Sequence, residues 1–354
     1  MVVSHPSSVA TLSITLDLAL EKVAGRGRMG SQRAHHFRWV LLWLALVASV
    51  AAAQDAYPTK TIRFIAPFPP GGTTDVLSRV LAQKLSDGLG RQVVVENRPG
   101  AAGNIGHELA SKTAPDGYTL LLTNSSALVT NPHLYKRLGF DPLNDFSPIT
   151  LVAKGGQVLV VHPSVPARGI KELIALARAR PDRITFGSGG RGTPAHVAGE
   201  IFKAETGAKV IHVPYKGTVQ SVTDLVAGQI DMVFSDMVPA VPQIKAGRLR
   251  ALNVTSEQRS RALPDVPTTI EAGVPIAVPQ NWWAVLAPKG TPAGIIGRLN
   301  AEFGQILRMR DVEERYASLG IFTVHSTPER VLEQVRTESP RVAKVLKAAG
   351  VEPE

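Results

Sequence analysis

The 354-residue chain contains no cysteine. That excludes disulfides, thiolate metal sites, a cysteine nucleophile and a lipid-modified cysteine at the N-terminus. Aromatic residues are scarce at 5%, and the lysines and arginines are dispersed without aromatic interleaving. A nucleic-acid surface combines a basic stripe with stacking platforms, so no nucleic-acid partner is expected. The phosphate-loop signature G-x-x-x-x-G-K-[ST] is missing. So is the G-x-S-x-G nucleophile elbow, because Phe186 stands where Ser188 would need a glycine. The mature histidines (107, 133, 162, 196, 212, 325) are scattered without metal-ligand spacing. Only one apolar run stands out, at 39–50, and crossing a bilayer takes about 20 such residues. No membrane span is expected.

What remains is an ordinary globular composition. Hydrophobic residues make up 44% and charged residues 19%, enough apolar material for a sizeable core. The length suggests two domains at roughly 100–200 residues each. The formal charge is +10. Residues 1–53 hold five bases and two acids, which leaves 34 bases against 27 acids, or +7, in the remainder.

The N-terminus reads as a targeting segment. Arg33 and Arg38 precede the apolar run 39–50, and Ala51-Ala52-Ala53 follows as a small-residue cleavage site. Residues 1–53 are therefore expected to be an N-terminal extension plus secretory signal peptide, with Met29 as a start of normal signal length. The mature chain would begin near Gln54. An exported, cysteine-free protein points to a bacterial periplasm.

The rest alternates strand and helix. Strands are expected at 61–68, 92–96, 118–123, 158–162, 183–186, 209–214, 231–234 and 282–287, from β-branched and apolar runs bounded by turn residues. Helices are expected after 73, where Val76, Leu77, Val80, Leu81 and Leu85 recur at helical spacing. Others fall at 104–112, 171–180, 195–205, 218–228, 292–308 and 328–347. This β-α-β-α order implies parallel sheets with helices on both faces.

In such sheets ligands bind beyond the carboxyl ends of the strands. Three of those ends are rich in small polar residues: Pro69-Pro70-Gly71-Gly72-Thr73-Thr74, Thr123-Asn124-Ser125-Ser126, and Gly187-Ser188-Gly189-Gly190-Arg191-Gly192-Thr193. Two open directly into helices, so free backbone N–H groups and positive helix ends point into one region. That favours an anion such as a carboxylate or phosphate. The alternative is that the glycines only make tight turns. Gly187, Gly189 and Gly192 also fit the dinucleotide fingerprint G-x-G-x-x-G. The acid expected to end the next strand is missing, since that strand ends Val213-Pro214-Tyr215-Lys216. Asp75, in the first turn after Gly71-Gly72, complements that helix dipole, and facing the pocket it would repel an anion. His196 reads as a ligand-loop or capping residue. Of Trp282 and Trp283, alternation sends one to the core and leaves the other able to reach the cleft.

Ordered words along the mature chain identify a resemblance. They are Phe68-Pro69-Pro70-Gly71-Gly72-Thr73-Thr74-Asp75, then Val95-Glu96-Asn97-Arg98-Pro99-Gly100-Ala101-Ala102-Gly103-Asn104-Ile105-Gly106, and Ala114-Pro115-Asp116-Gly117-Tyr118-Thr119. His212-Val213-Pro214-Tyr215-Lys216-Gly217, Leu263-Pro264-Asp265-Val266-Pro267-Thr268 and Leu286-Ala287-Pro288-Lys289-Gly290-Thr291-Pro292 follow. From Tyr57 to Gly350 the chain resembles the substrate-binding proteins of tripartite tricarboxylate transporters, the Bug family. The resemblance implies an α/β, two-lobed, type II-like Venus-flytrap fold, each lobe a mostly parallel sheet flanked by helices. Lobe 1 would hold 57–156 plus 279–354, and lobe 2 would hold 157–278. It implies a monomeric periplasmic receptor that captures a small carboxylate for a tripartite tricarboxylate-type permease, with no cofactor, no metal and no catalysis.

Carried onto this sequence, the family's ligand-holding residues fall on Phe68, Pro69, Gly71, Gly72 and Thr73, with Asp75 beside them. Thr123, Asn124 and Ser125 lie across the cleft. The second lobe would supply Ser188, Gly189, Gly192, Thr193, His196, Tyr215, Ser235 and Asp236. Many relatives carry an acid directly behind the phenylalanine that is Phe234 here, where this chain has Ser235. Alternation should turn Ser235 to the cleft and Asp236 away, which favours a carboxylate without an amino group. A periplasmic sensor read by a membrane signalling protein is the alternative function. A hydrolase would need a nucleophile with a matched base, which no motif offers.

Overall fold

The computed structural model describes residues 57–274, 276 and 278–353. The expected signal peptide and its start at Met29 lie outside the described residues. From Pro58 onward the chain forms one compact unit.

That unit begins with β1 (Ile62–Ala66), α1 (Thr73–Leu89), β2 (Val93–Asn97), α2 (Asn104–Ser111), β3 (Thr119–Asn124) and β4 (Phe146–Gly155). Next come β5 (Gln157–Val161), α3 (Ile170–Ala179), β6 (Ile184–Ser188), α4 (Pro194–Thr206) and β7 (Val210–Pro214). The chain continues through α5 (Thr218–Val226), β8 (Met232–Asp236), α6 (Met237–Lys245) and β9 (Arg250–Val254). It closes with β10 (Asn281–Pro288), α7 (Ala293–Ile306), α8 (Arg310–Ser318), β11 (Ile321–Thr323) and α9 (Pro328–Ala348).

Two mixed sheets result, ordered β11-β4-β10-β3-β1-β2 and β7-β6-β8-β5-β9. In the first, β1 to β4 run one way and β10 and β11 the other. In the second, β5 alone runs opposite to the other four strands. The strands set against the majority thus include the two that follow the passages between sheets. β4 of the first sheet continues into β5 of the second across Gly156, and 255–280 lead from β9 back to β10. The two passages are tied together, because Thr255 N–H donates to Gln157 O at 2.8 Å and Gln157 N–H to Thr255 Oγ1 at 2.9 Å.

Each helix buries one apolar face. On α1, Leu77, Leu81 and Leu85 recur every four residues and are fully buried, while Gln83 is exposed. The C-terminal α9 lies against β4 and also touches α4, which packs on the second sheet. Its Val331, Val335, Val342 and Leu346 join one core with Leu151 and Trp282 of the first sheet and Phe186 and Phe234 of the second. Burying each such side chain contributes about 1.5–3 kcal/mol. Trp282 and Trp283 are both core residues, 1% and 2% exposed, so neither reaches the cleft. Their indole N–H groups donate to Glu338 and Thr74, at 2.7 and 3.1 Å.

Three histidines stay uncharged, His107 and His196 buried and His212 half-buried. His107 is held between Gly103 O (2.8 Å) and Thr123 Oγ1 (2.7 Å) and stacks on Phe140. Burial pulls its pKa down to about 4. Burial, followed by the charges of His212, Arg191 and Lys203, lowers His196 to about 3. Burial, then Lys203 and Arg191, takes His212 to about 4.

Two outcomes follow from this architecture. A Cβ on Gly156 would come within 2.9 Å of both the Cβ and the backbone nitrogen of Ser256 on the return passage. Gly156→Val should therefore cost about 1–3 kcal/mol, and an unchanged melting temperature would contradict the close approach of the passages. These imidazoles set a pH window. Between about 6.5, their unfolded value, and about 4, the unfolded chain binds more protons than the native one. The stability they contribute is complete above 6.5 and drains as pH falls toward 4. Asp236, pushed up to about 6 by burial, works in the opposite sense, one group against three. Thermal midpoints measured at pH 7, 6, 5 and 4 should fall, and a flat or rising series would show the rings protonated in the native state.

Candidate functional site

Four helices begin at one place. α1 follows β1 of the first sheet, while α4, α5 and α6 follow β6, β7 and β8 of the second, all at carboxyl ends of strands. Their N-cap residues are Gly72, Thr193, Gly217 and Asp236, and none makes a side-chain capping bond. All four N-caps line a single cavity of about 30 Å³, closed on the first-sheet side by Phe68, Pro69 and Asn124. In α1 the bond from Val76 N–H to Gly72 O (3.0 Å) closes the first turn, and in α4 the one from Val197 N–H to Thr193 O (3.1 Å) does so. The N–H groups before them have no partner within the helix and carry the positive end of its dipole. The two sides touch. A Cβ on Gly217 would stand 2.8 Å from the Pro69 ring, and one on Gly192 2.5 Å from Asn131 Oδ1.

The first-sheet loop is braced from behind. Gly71 has φ +81°, a left-handed conformation that glycine adopts without steric cost. Its N–H donates to Asp75 Oδ2 at 2.9 Å. Arg79 and Asn97 hold the same carboxylate, and Asn97 Nδ2 also donates to Phe68 O at 3.0 Å. Burial alone would raise the Asp75 pKa, but Arg79, the Gly71 N–H and Asn97 together hold it below the usual carboxylate value. Asp75 thus complements its helix and shapes the loop, with its oxygens turned away from the cavity.

The second-sheet loop is braced by imidazoles. Ser188 Oγ and His212 Nε2 lie 2.7 Å apart, and Gly190 N–H donates to Ser188 Oγ at 3.1 Å. Thr193 Oγ1 donates to Gly190 O at 2.7 Å, and Gly192 N–H donates to His196 Nδ1 at 3.3 Å. The His196 and His212 rings sit 4.6 Å apart. Ser188 is fully buried, so this serine–histidine pair holds a loop rather than presenting a nucleophile. Gly192 has φ +86°, a second place where glycine is required.

The candidate residues divide by position. Phe68, Pro69, Gly72, Thr73, Asn124, Thr193 and Asp236 line the cavity. Gly189 and Tyr215 line a second cavity of about 510 Å³, with Arg191 and Lys216 on its wall. Tyr215 donates its hydroxyl to Asp224 at 2.8 Å, and burial, then Asp224, pushes its pKa up to about 12. Gly71, Asp75, Ser188, Gly192 and His196 form the bracing just described. Thr123 Oγ1 meets His107, and Ser125 donates to Asn281 Oδ1 at 2.7 Å.

Ser235 and Asp236 correct the expected orientation. Strand β8 runs two residues past its expected end, through Asp236. Phe234 and Asp236 therefore share a face, that of α4, where Phe234 meets Phe202. Ser235 is fully buried, and its hydroxyl donates to Asp236 O at 2.8 Å. Asp236 faces the cavity. Asn281 Nδ2 approaches its Oδ1 at 3.4 Å. The Thr73 hydroxyl lies near enough to lower its pKa without closing a hydrogen bond of good geometry.

Five residues of the cavity wall fall outside the expected set. Thr74 lies within a recognised loop, Pro194 opens α4, and Gly217, Thr218 and Val219 open α5. The Pro214-Tyr215-Lys216-Gly217-Thr218 run carries the same strand–glycine–helix signal as the two recognised loops, so it was there to be found. Among the described residues no helix is long and apolar enough to cross a membrane. No group of three or more His, Asp or Glu residues there could hold a metal ion.

Residues 77–351 match the family described as Tripartite tricarboxylate transporter family receptor (TctC). Protein BugT of Bordetella pertussis is 40% identical over 306 residues, covering 86% of this chain and 94% of its own. Among solved structures, R. palustris Rpa4515 with adipate has 34% identity and a TM-score of 0.82, covering 84% of this chain and 100% of its own. MatC from Rhodopseudomonas palustris with bound malate has 28% identity and a TM-score of 0.78, covering 82% and 100%. These are receptors rather than enzymes, and the chain belongs to the tripartite tricarboxylate transporter receptor family.

Proposed function

We propose that this chain is a periplasmic receptor that captures a small carboxylate between two lobes and presents it to a tripartite tricarboxylate-type permease. One observation carries the reading: four uncapped helix N-termini, from both sheets, converge on one narrow cavity. Unpaired backbone donors with aligned dipoles favour an anion strongly and without a charged side chain. The Thr73 hydroxyl, buried and without a hydrogen-bond partner, faces the same space. The carboxylate would take backbone N–H groups of Gly72–Thr74 on one side and donors around Thr193 and Thr218 on the other. The lobes would be 57–156 plus 279–354 and 157–278, hinged on the passages at Gly156 and 255–280. Adipate and malate, bound by the two relatives, carry no amino group, which supports a non-amino acid as the ligand here.

A cavity of about 30 Å³ holds about one water, so a ligand enters only when the two sides part. Contacts drawn from both sides then stabilise the closed form. Small-angle scattering should show contraction on saturation with a bound dicarboxylate, together with a raised melting temperature. An unchanged envelope would refute hinged capture.

Bulk at the anchor should matter more than surface charge. The Gly72 Cβ position lies 3.5 Å from Pro69 O and 3.8 Å from Val219 Cγ2, so a valine there fills the cavity. Calorimetry with succinate, citrate, adipate, malate and benzoate should detect at least one ligand for the native protein and none for Gly72→Val. Lys289→Ala, at the far end of β10, should bind as the native protein does. Retained affinity in Gly72→Val would rule out the helix-terminus anchor.

A further inference from the structure

We propose that carboxylate capture in this cleft takes up one proton, shared between the bound carboxylate and Asp236. The inference rests on the carboxylate-receptor reading and adds a proton to its stoichiometry.

The geometry leaves little choice. Asp236 is the N-cap of α6 and lines the same cavity as Gly72, Thr73 and Thr74. A ligand carboxylate at the start of α1 therefore sits against the Asp236 carboxyl. None of the other residues on that wall is titratable, so no cation is placed to separate the two. The recorded neighbours of Asp236 are the Asn281 amide and the Thr73 hydroxyl, both neutral.

Charged groups on the surrounding elements are already engaged. On α1, Asp75 is paired with Arg79. On α4, His196 is neutral, with Glu200 close to its ring and bound by Lys203. On α5, Asp224 accepts the Tyr215 hydroxyl. β10 contributes Asn281 at this end and no titratable side chain along its length. Two carboxylates in contact do not both stay ionised, and one proton between them makes a short charge-assisted hydrogen bond. The proton comes from solvent, and the pair titrates as a unit. Burial already pushes the unliganded Asp236 up to about 6, so it is poised to accept.

The arrangement makes Asp236 a specificity residue. A ligand bearing an ammonium group would pair with the ionised acid and need no proton. A carboxylate without one binds with proton uptake, and its affinity rises as pH falls.

Calorimetry with malate and adipate from pH 6.5 to 8, each in two buffers of different ionisation enthalpy, tests this. The expected result is uptake approaching one proton per ligand and affinity rising about tenfold per pH unit as pH falls. Asp236→Asn, nearly isosteric, should bind the same ligand with no proton uptake and no pH slope, its fold checked by thermal melting. The wild-type proton count stands even if that variant misfolds. PH-independent binding of malate or adipate without proton uptake would overturn the inference and leave the receptor reading intact. Proton uptake on binding of aspartate or glutamate, whose ammonium group should pair with the ionised acid, would overturn it as well. No binding by malate or adipate at any pH would overturn the inference, and no binding by any tested carboxylate would also overturn the receptor reading.

Discussion

Backbone groups that stay unpaired when buried cost about 1–3 kcal/mol each, so proteins pair nearly all of them. Here four helices start around one shared space, and none of the N-cap residues satisfies their leading N–H groups with a side chain. Glycine at two of the four N-caps removes the side chain that would cap, and Thr193 turns its hydroxyl to Gly190 O instead. The rest of the fold serves that convergence. The strands of two separate sheets end at the same level and face each other, which requires the chain to pass between sheets twice and side by side. On the proposed reading, the unmet backbone donors are the recognition surface and a ligand carboxylate completes them.

Bracing keeps this surface in shape before any ligand arrives. Asp75 holds Gly71 from below, and neutral imidazoles at 196 and 212 hold the glycine loop of the second sheet. Keeping those rings uncharged matters. Cations beneath the loop would bind anions on their own and loosen the core. Asn281 links the parts: it opens β10 at the return passage, accepts from Ser125 and donates toward Asp236. A displacement of either sheet relative to the other is felt at that one amide. The return passage, the first sheet's β3 end and the acid of the second sheet are therefore connected through one side chain.

Much of this was legible in the sequence because it depends on local chemistry. The loops at Pro69–Thr74 and Gly187–Thr193 announce themselves by glycine after a strand and a helix pattern behind. Other elements were hidden by residues that argue against them. β4 contains Pro148 and Lys154, and proline demotes a run to an edge or a loop, yet β4 is an interior strand. α6 includes Pro239 and Pro242, which lack the N–H that a helix interior uses. β11 is three residues long, too short to show a period. The orientation of Ser235 and Asp236 failed for a different reason. Alternation holds along β8, but where the strand ends and which residue meets the cavity are tertiary facts, and a shift of one residue reverses every side chain.

An acid inside an anion site is a conflict that magnitudes resolve. Two carboxylates about 4 Å apart repel by about 4 kcal/mol at an effective dielectric near 20. Each helix end returns about 0.3–1 kcal/mol to a nearby negative charge, so neutralising one of the two carboxyls forfeits about 1–4 kcal/mol across four ends. Protonating a group with a pKa of about 6 at pH 7 costs about 1.4 kcal/mol more. Against these stand the removed repulsion and a charge-assisted hydrogen bond worth about 1.5–3 kcal/mol. The balance favours the shared proton by a margin of about 0–5 kcal/mol, and it tilts further as pH falls. In the unliganded protein the same carboxylate answers the four helix ends, so Asp236 serves as the resident anion of the cavity. On the proposed reading a ligand does not evict it but joins it, and the proton makes room for the second carboxylate.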